Sequence, residues 1–525
     1  MTFEPIASDQ AVAEGNPRLN DLIEAVATST PDATALVVTA NRVPISYREL
    51  VRLVDGLAAQ LNRAGLAIGD RVGLRTGSNA EFVVALLAAL RAGLIVVPLD
   101  PALPVGDQRT RSQAAGARVV LVDGEGPGDS NEPSVAWWNV AVTVDQDAWS
   151  AHLDAVTEPN PSSSSPEGLR HDDAMIMFTG GTTGLPKMVP WTHDNIVNSV
   201  RAIIAGYQLG PEDATVAVMP LYHGHGLIAA LLSTLASGGT VLLPARGRFS
   251  AHTFWDDVSS VGATWYTAVP TIHQILLERA AGAPAENTKA ALRFIRSCSA
   301  PLTPEVAQAL QVEFSAPVLC AFGMTESTHQ VASTGIDQKV NPAVSTGLVG
   351  RSTGPEIRIA GSDGQPLAAG AVGEVWLRGA TVVRGYLGDP KITAANFTDG
   401  WLRTGDLGTL SETGDLSIRG RIKELINRGG EKISPERVEG VLGTHPNIME
   451  VAVFGVPHPM YGEAVAAVIV PRGPAPSADD LVEFCRDRLA GFEIPETFQI
   501  ADELPHTAKG SLDRRAVSAR FGKPI

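Results

Sequence analysis

Apolar and polar positions along the chain change period repeatedly, and the changes predict strands alternating with helices through the first four hundred residues. Short β-rich runs at 71–75, 94–97, 118–122, 215–219 and 240–243 read as strands, and 80–91 and 227–235 read as helices. This alternation predicts an α/β domain with largely parallel sheets. The longest apolar tract, 82–99, is broken by Arg91, Gly93 and Pro98, so it reads as a helix followed by a strand rather than a membrane span. Thr303 before Pro304, and Ser434 before Pro435, each set a capping hydroxyl ahead of a proline suited to a first helical position. Val438, Val441 and Leu442 give the second of these helices an apolar face. Beyond Glu450, apolar runs at 451–456 and 464–470 flank a turn rich in proline and histidine. The last hundred residues therefore read as a separate small α+β domain. Segments 123–134 and 157–170, the second with its run of serines, read as flexible connections.

Composition narrows the class. A chain of 525 residues exceeds one hydrophobic core, and 44% hydrophobic content fits a globular protein. A net charge of −16 argues against general nucleic-acid binding, which needs a basic surface. Cys298, Cys320 and Cys485 are scattered, form no metal-ligand spacing and no disulfide framework, and fit a reducing compartment. The first ten residues carry no signal-peptide pattern, and the final Lys-Pro-Ile is no peroxisomal address, so a cytoplasmic protein is expected.

The densest chemistry lies at 178–187, FTGGTTGLPK. Three glycines, three threonines and a lysine in one loop can wrap N–H groups and hydroxyls around phosphate oxygens with a cation nearby. A buried strand is expected before it, at 173–178. After it a helix is expected, with Ile196, Val200, Ile203, Ile204 and Tyr207 on one face. The loop is not a Walker motif, because no Gly-Lys-Ser/Thr occurs.

This loop resembles that of the adenylate-forming enzymes, a superfamily of acyl-CoA synthetases, aryl-CoA ligases, luciferases and amino-acid adenylation domains. Gly180 stands for the usual serine and Met188 for the usual glycine. Four further segments match the family in order: FGMTE at 322–326, TGD at 404–406, GRIK at 420–423 and RGGEKI at 428–433. The resemblance implies a large multi-subdomain α/β AMP-binding domain at 1–420, a hinge at 421–423 and a small mobile α+β domain at 424–525. It implies that Thr179, Gly180, Gly181, Thr182, Thr183, Gly184 and Lys187 cradle phosphates, with Phe322, Gly323, Met324 and Thr325 beside the nucleotide. Thr325 would contact the α-phosphate. Glu326 would ligate Mg²⁺, a hard cation that takes carboxylate and phosphate oxygens. Asp406 and Arg421 would hold the ribose, Lys423 would mark the pivot, and Gly429 and Gly430 would admit the pantetheine of coenzyme A. The implied reaction converts a carboxylic acid, ATP and CoA into an acyl-CoA through an acyl-adenylate, in a monomer or homodimer.

One segment departs from the family. Its C-terminal signature places a catalytic lysine where this chain has Ser511, and a lysine stands two residues earlier, at Lys509. That lysine bridges the attacking carboxylate and the α-phosphate, a contact worth on the order of 10²–10³ in rate. Three readings follow. Lys509 reaches the site across a shift of roughly 7 Å, another cation substitutes, or adenylation is slow while thioester formation survives.

The acyl pocket is implied by the same resemblance. His223, in the segment MPLYHGHG, would line the acyl channel, and Tyr222-His223 weighs against an amino-acid substrate. His225, Ser297, Ser299 and His329 would make its walls polar, which suits a short second carboxylate better than a long apolar chain. These segments are most similar to the oxalate–CoA ligase branch, so oxalate or a similarly small polar acid is expected. The alternatives are a medium- or long-chain fatty acyl-CoA synthetase, a fatty acyl-AMP ligase that avoids CoA, and a catalytically impaired nucleotide- or CoA-binding homologue.

Overall fold

The computed structural model describes residues 17–38, 41–124, 135–145, 148–155, 157–161, 165–179, 186–280, 292–336, 347–506 and 512–522. They form three sheets, of seven, fourteen and five strands.

In the seven-stranded sheet, strands Ala136–Asp145, Ala117–Val122, Arg71–Arg75, Ile95–Pro98 and Asp173–Phe178 run parallel. Antiparallel strands Ala148–Asp154 and Met188–Thr192 close its two edges. Parallel strands are covered on both faces, which is why these segments read as continuous apolar runs. Helix Ala80–Arg91 is capped by Asn79, whose side chain accepts from the Phe82 amide. Its residues 82–90 are all buried. A helix apolar all round must lie between layers, and this one packs against helix Tyr47–Arg63 and the sheet.

The fourteen-stranded sheet is mixed. Strands Thr34–Val38, Thr240–Leu242, Ala214–Val216, Trp265–Ala268, Phe294–Ser297 and Val318–Met324 are parallel neighbours. From His329–Ser333 onward the added strands are antiparallel, through Leu348–Ser352, Leu416–Arg421, Trp401–Leu410 and Gly373–Arg378 to Glu356–Ala360. The third sheet holds Glu431–Ile433, Ile426–Arg428, Gly462–Pro471, Ile448–His458 and Thr497–Ile500, with helices Pro435–Leu442, Ala478–Arg486 and Arg514–Phe521 beside it. The chain passes from the second sheet to the third through one 3₁₀ turn, Ile422–Glu424.

Four expectations need correction. The glycine-rich loop leads into an antiparallel strand, Met188–Thr192, and only then into helix His193–Tyr207, because Phe178 pairs with Met188 across its base. The strand expected at 215–219 ends at Val216. The helix expected at 227–235 is a π-helix at His225–Leu232 that becomes α-helical at Ser233–Ala236. Segment 157–170 is anchored where it is described: the Asn160 amide donates to the Arg118 carbonyl at 3.1 Å, and the Gly388 amide to that of Glu167 at 3.0 Å. Most of 123–134 lies outside the described residues.

Candidate active site

Two clusters of polar side chains meet where the parallel part of the large sheet turns antiparallel. The hinge of this arrangement is the 3₁₀ turn Thr325–Ser327, which follows strand Val318–Met324. Gly323 lies so close to the next strand that a Cβ would sit 1.7 Å from the His329 carbonyl oxygen, so only glycine fits. Thr328 and His329 then take left-handed backbone angles, φ 51° and 83°. For non-glycine residues these are strained and persist only where surroundings enforce them. Enforcement is visible: the Thr328 hydroxyl donates to the Thr381 carbonyl at 2.8 Å, and its own carbonyl accepts from the Ser199 hydroxyl at 2.6 Å. Glu326 is thereby held in one cluster and His329 in the other.

The first cluster contains Glu326, Lys187, Tyr386 and Asn396. The Tyr386 hydroxyl donates to Glu326 at 2.8 Å. The Lys187 ammonium donates to the Tyr386 oxygen and to the Asn396 carbonyl oxygen, each at 3.3 Å, and lies 4.3 Å from the Tyr386 ring centre. Burial lowers the Lys187 pKa from its ordinary value, the charge of Glu326 opposes this, and that of Lys423 adds to it. Lys423, on the 3₁₀ turn between the second and third sheets, is therefore felt at Lys187. Thr179 closes the base of the glycine-rich loop, its amide donating to the Lys187 carbonyl at 3.1 Å. Gly180, Gly181, Thr182, Thr183 and Gly184 lie outside the described residues. Thr325 receives the Trp191 indole N–H on its carbonyl at 2.8 Å, while Phe322 and Met324 are half-buried on the strand before it.

Asp406 and Arg421 face each other across paired strands, with Arg421 Nε 2.9 Å from Asp406 Oδ1. Asp406 is 2% exposed, and its other oxygen, Oδ2, has no hydrogen-bond partner among the described residues. Burial lifts this carboxyl to about 6 despite Arg421, with Glu424 and Glu436 adding to the rise. A buried acceptor without a donor costs free energy, and a ligand hydroxyl donating here would remove that cost. A ribose hydroxyl is one such donor. For Mg²⁺ the fit is one buried carboxylate, Glu326. No group of three or more His, Cys, Asp or Glu side chains that could hold a metal ion occurs among the described residues.

The second cluster is buried except for Ser299 and holds one cationic side chain, Arg296. Arg296 is fully buried. Its guanidinium donates to the Tyr207 hydroxyl at 2.9 Å, Thr267 Oγ1 at 2.9 Å, His329 Nε2 at 3.1 Å and Gln330 Oε1 at 2.8 Å. His225 contacts Thr267 Oγ1 through Nε2 at 2.6 Å and Ser299 Oγ through Nδ1 at 3.1 Å. The rings of His225 and His329 stack 5.3 Å apart. Burial, then the charge of Arg296, holds both imidazoles well below their ordinary pKa and so neutral. The cluster begins where the π-helix does, at His225; such helices often mark functional sites.

The residues named from the sequence are thus distributed unevenly. Contacts join His225, Ser299 and His329. Ser297 lies next to them on its strand, but its buried hydroxyl has no partner among the described residues. His223 is half-buried, its ring edge-on to Tyr222. Gly429 and Gly430, φ 61° and 100°, form the two-residue turn between strands Ile426–Arg428 and Glu431–Ile433, a conformation that itself demands glycine. Lys509 and Ser511 lie outside the described residues. The segment's flanks are tied down by His506 to Glu450 at 2.6 Å and Arg514 to Glu424 at 2.8 Å.

Thr267, Tyr386 and Asn396 were missed from sequence, Tyr207 was read only as part of a helix's apolar face, and Arg296 only as the first residue of a pocket-wall stretch, 296–301. A signal existed for Arg296 alone: one charge in the apolar strand FIRS, within a sheet expected to be covered on both faces.

The family model described as AMP-binding enzyme matches residues 23–387, and that for the AMP-binding enzyme C-terminal domain matches 437–511. An oxalate–CoA ligase from Arabidopsis thaliana is 40% identical, over 96% of this chain and 98% of its own. One from Saccharomyces cerevisiae is 35% identical, over 94% and 96%. The structure of O-succinylbenzoate coenzyme A synthetase (MenE) from Bacillus subtilis in complex with ATP and magnesium superposes with a TM-score of 0.78 at 28% identity, covering 94% of this chain and 98% of that one.

Proposed function

The chain belongs to the AMP-binding enzyme family and is an AMP-forming acid–CoA ligase using ATP, Mg²⁺ and CoA; from this we propose that its acid is small and polar, oxalate foremost. The observation that carries the reading is the second cluster. A pocket for a long acyl chain would be walled by apolar side chains, because buried polar groups left without partners cost free energy. Here two neutral imidazoles, a hydroxyl and a buried guanidinium converge instead.

In the first half-reaction an oxygen of the acid attacks the α-phosphorus and pyrophosphate leaves. Positioning and charge neutralisation do most of this work. Asp406 Oδ2 would accept from a ribose hydroxyl, with Arg421 beside it. Glu326, oriented by Tyr386, would hold Mg²⁺, which supplies positive charge against the phosphate oxygens. Lys187 would bring its ammonium to the phosphate loop, whose residues 179–184 would wrap the phosphates. In the second half-reaction the sulfur of CoA attacks the acyl carbon and AMP leaves. Residues 421–423 would be the pivot between a large domain at 1–420 and a small one at 424–525, and Lys509 would supply the adenylation cation absent at Ser511. His223 would line the acyl channel. Ser297 would offer its hydroxyl to the acid, and Gly429 and Gly430 would border the pantetheine path.

Steady-state rates with oxalate, malonate, acetate, benzoate and a series of medium- and long-chain fatty acids test the substrate. The expected order places oxalate first; a clear preference for long chains overturns the reading. Among the described residues no helix is long and apolar enough to cross a membrane.

A further inference from the structure

Arg296 is the one element of the acyl cluster whose presence is costly on its own terms. A fully buried guanidinium normally sits against a carboxylate, because removing a cation from water without a counter-charge is expensive. The side chains around Arg296 are the hydroxyls of Tyr207 and Thr267, the imidazole of His329, the amide of Gln330 and the thiol of Cys298; none is a carboxylate, and no ion pair links Arg296 to an acidic side chain among the described residues. The guanidinium stays protonated under any ordinary condition, so the site holds one uncompensated positive charge.

The hydrogen-bond directions carry that charge outward. Arginine has no acceptor, so Thr267 Oγ1 and His329 Nε2 both accept from it. His329 is therefore the tautomer with its proton on Nδ1. Among the described residues the other polar contact of the Thr267 oxygen is His225 Nε2. The arrangement that uses every hydrogen has Thr267 donating to His225 Nε2, and His225 Nδ1–H donating to Ser299. The Ser299 hydroxyl proton then ends the chain. Ser299 is the exposed member of the cluster, and its backbone is held at φ 73°, a strained angle for serine. Each donor in such a chain polarises the next.

We propose that Arg296 is a positioning and specificity residue: through Thr267 and His225, and through His329, it fixes the donors of the acyl pocket, and its charge is balanced by a second carboxylate on the bound acid. This rests on the small-dicarboxylate reading above. It adds a selection rule to that reading: the pocket discriminates by the charge of the distal group rather than by its size.

The test compares oxalate with oxamate, which replaces one carboxylate by a carboxamide of nearly the same shape. KM and kcat are measured for each acid by pyrophosphate release, using the full chain with ATP, Mg²⁺ and CoA. Wild type is expected to favour oxalate. Arg296→Gln is expected to raise the KM for oxalate about 30-fold and that for oxamate less than about 3-fold, since only the former loses its counter-charge. Arg296→Lys should recover part of the oxalate preference. Thr267→Val keeps the guanidinium and cuts the relay, and should raise the oxalate KM about 5-fold; it stands in if Arg296→Gln does not fold by thermal melting. A wild type indifferent between the two acids overturns the dicarboxylate reading and this inference with it. A wild type that prefers oxalate, with variants that weaken both acids equally or neither, overturns this inference alone.

Discussion

The two ends of the site, proposed above to take the nucleotide and the acid, handle charge in opposite ways. At the nucleotide end each charge has an opposite neighbour: Arg421 lies against Asp406, and Lys187 shares Tyr386 with Glu326. Arg421 keeps 60% of its side chain exposed. At the acyl end a single guanidinium is fully buried among neutral groups. The first end pairs its charges and leaves one buried acceptor, Asp406 Oδ2, for a ligand hydroxyl to satisfy. The second stores an imbalance that a ligand of the right charge relieves, which favours selectivity.

The contrast can be broken most forcefully at Glu326. Glu326→Gln is expected to lower the adenylation rate on the order of 10²-fold with every accepted acid, because the proposed metal contact would serve the phosphates, not the acid. ATP–pyrophosphate exchange measures it, and a loss confined to one acid would blur the two ends. Next comes Asp406→Asn, which should raise the KM for ATP about 10-fold with little change for the acid. Its pH dependence sharpens the point. Burial places the Asp406 carboxyl at about 6, so the group is charged above that pH and protonates below it. The wild-type KM for ATP should therefore rise as pH falls through 6, and the Asn variant should lack that step.

His329→Gln acts at the other end and should raise the KM for the acid about 10-fold while leaving that for ATP within about 2-fold. Equal effects on both substrates would show the ends to be coupled through the turn at 325–328. The smallest effect is expected from Tyr386→Phe. It removes one hydrogen bond to Glu326 and one acceptor for Lys187, and should cost about 5-fold in kcat/KM for ATP.

The nucleotide end was far more legible in the sequence. Its residues come in short motifs whose members act together because they are adjacent: residues 322–326 form one strand end and turn, and Asp406 and Arg421 sit on consecutive strands of a hairpin. Tyr386 and Asn396 were not legible. They reach Lys187 from about two hundred positions away and carry no local pattern. The loop-to-helix reading missed the strand at 188–192. Apolar periodicity marks the helix, but a short edge strand is defined by its partner across the sheet.

By itself, the sequence determined the alternation of strands and helices, the separate C-terminal unit and the motif set around the nucleotide, because periodicity, capping and contiguous motifs are local properties. For the second cluster the resemblance supplied His225, Ser299 and His329, and only three dimensions supplied the rest and the contacts that join them. Tyr207, His225, Thr267, Arg296, Ser299 and His329 come from separate helices, strands and turns, and the sheet brings them together. Whether an arginine is solvated or buried without a counter-ion depends on what covers it. That is settled by packing, and here the packing turned one charge in a strand into the feature on which the choice of acid is proposed to rest.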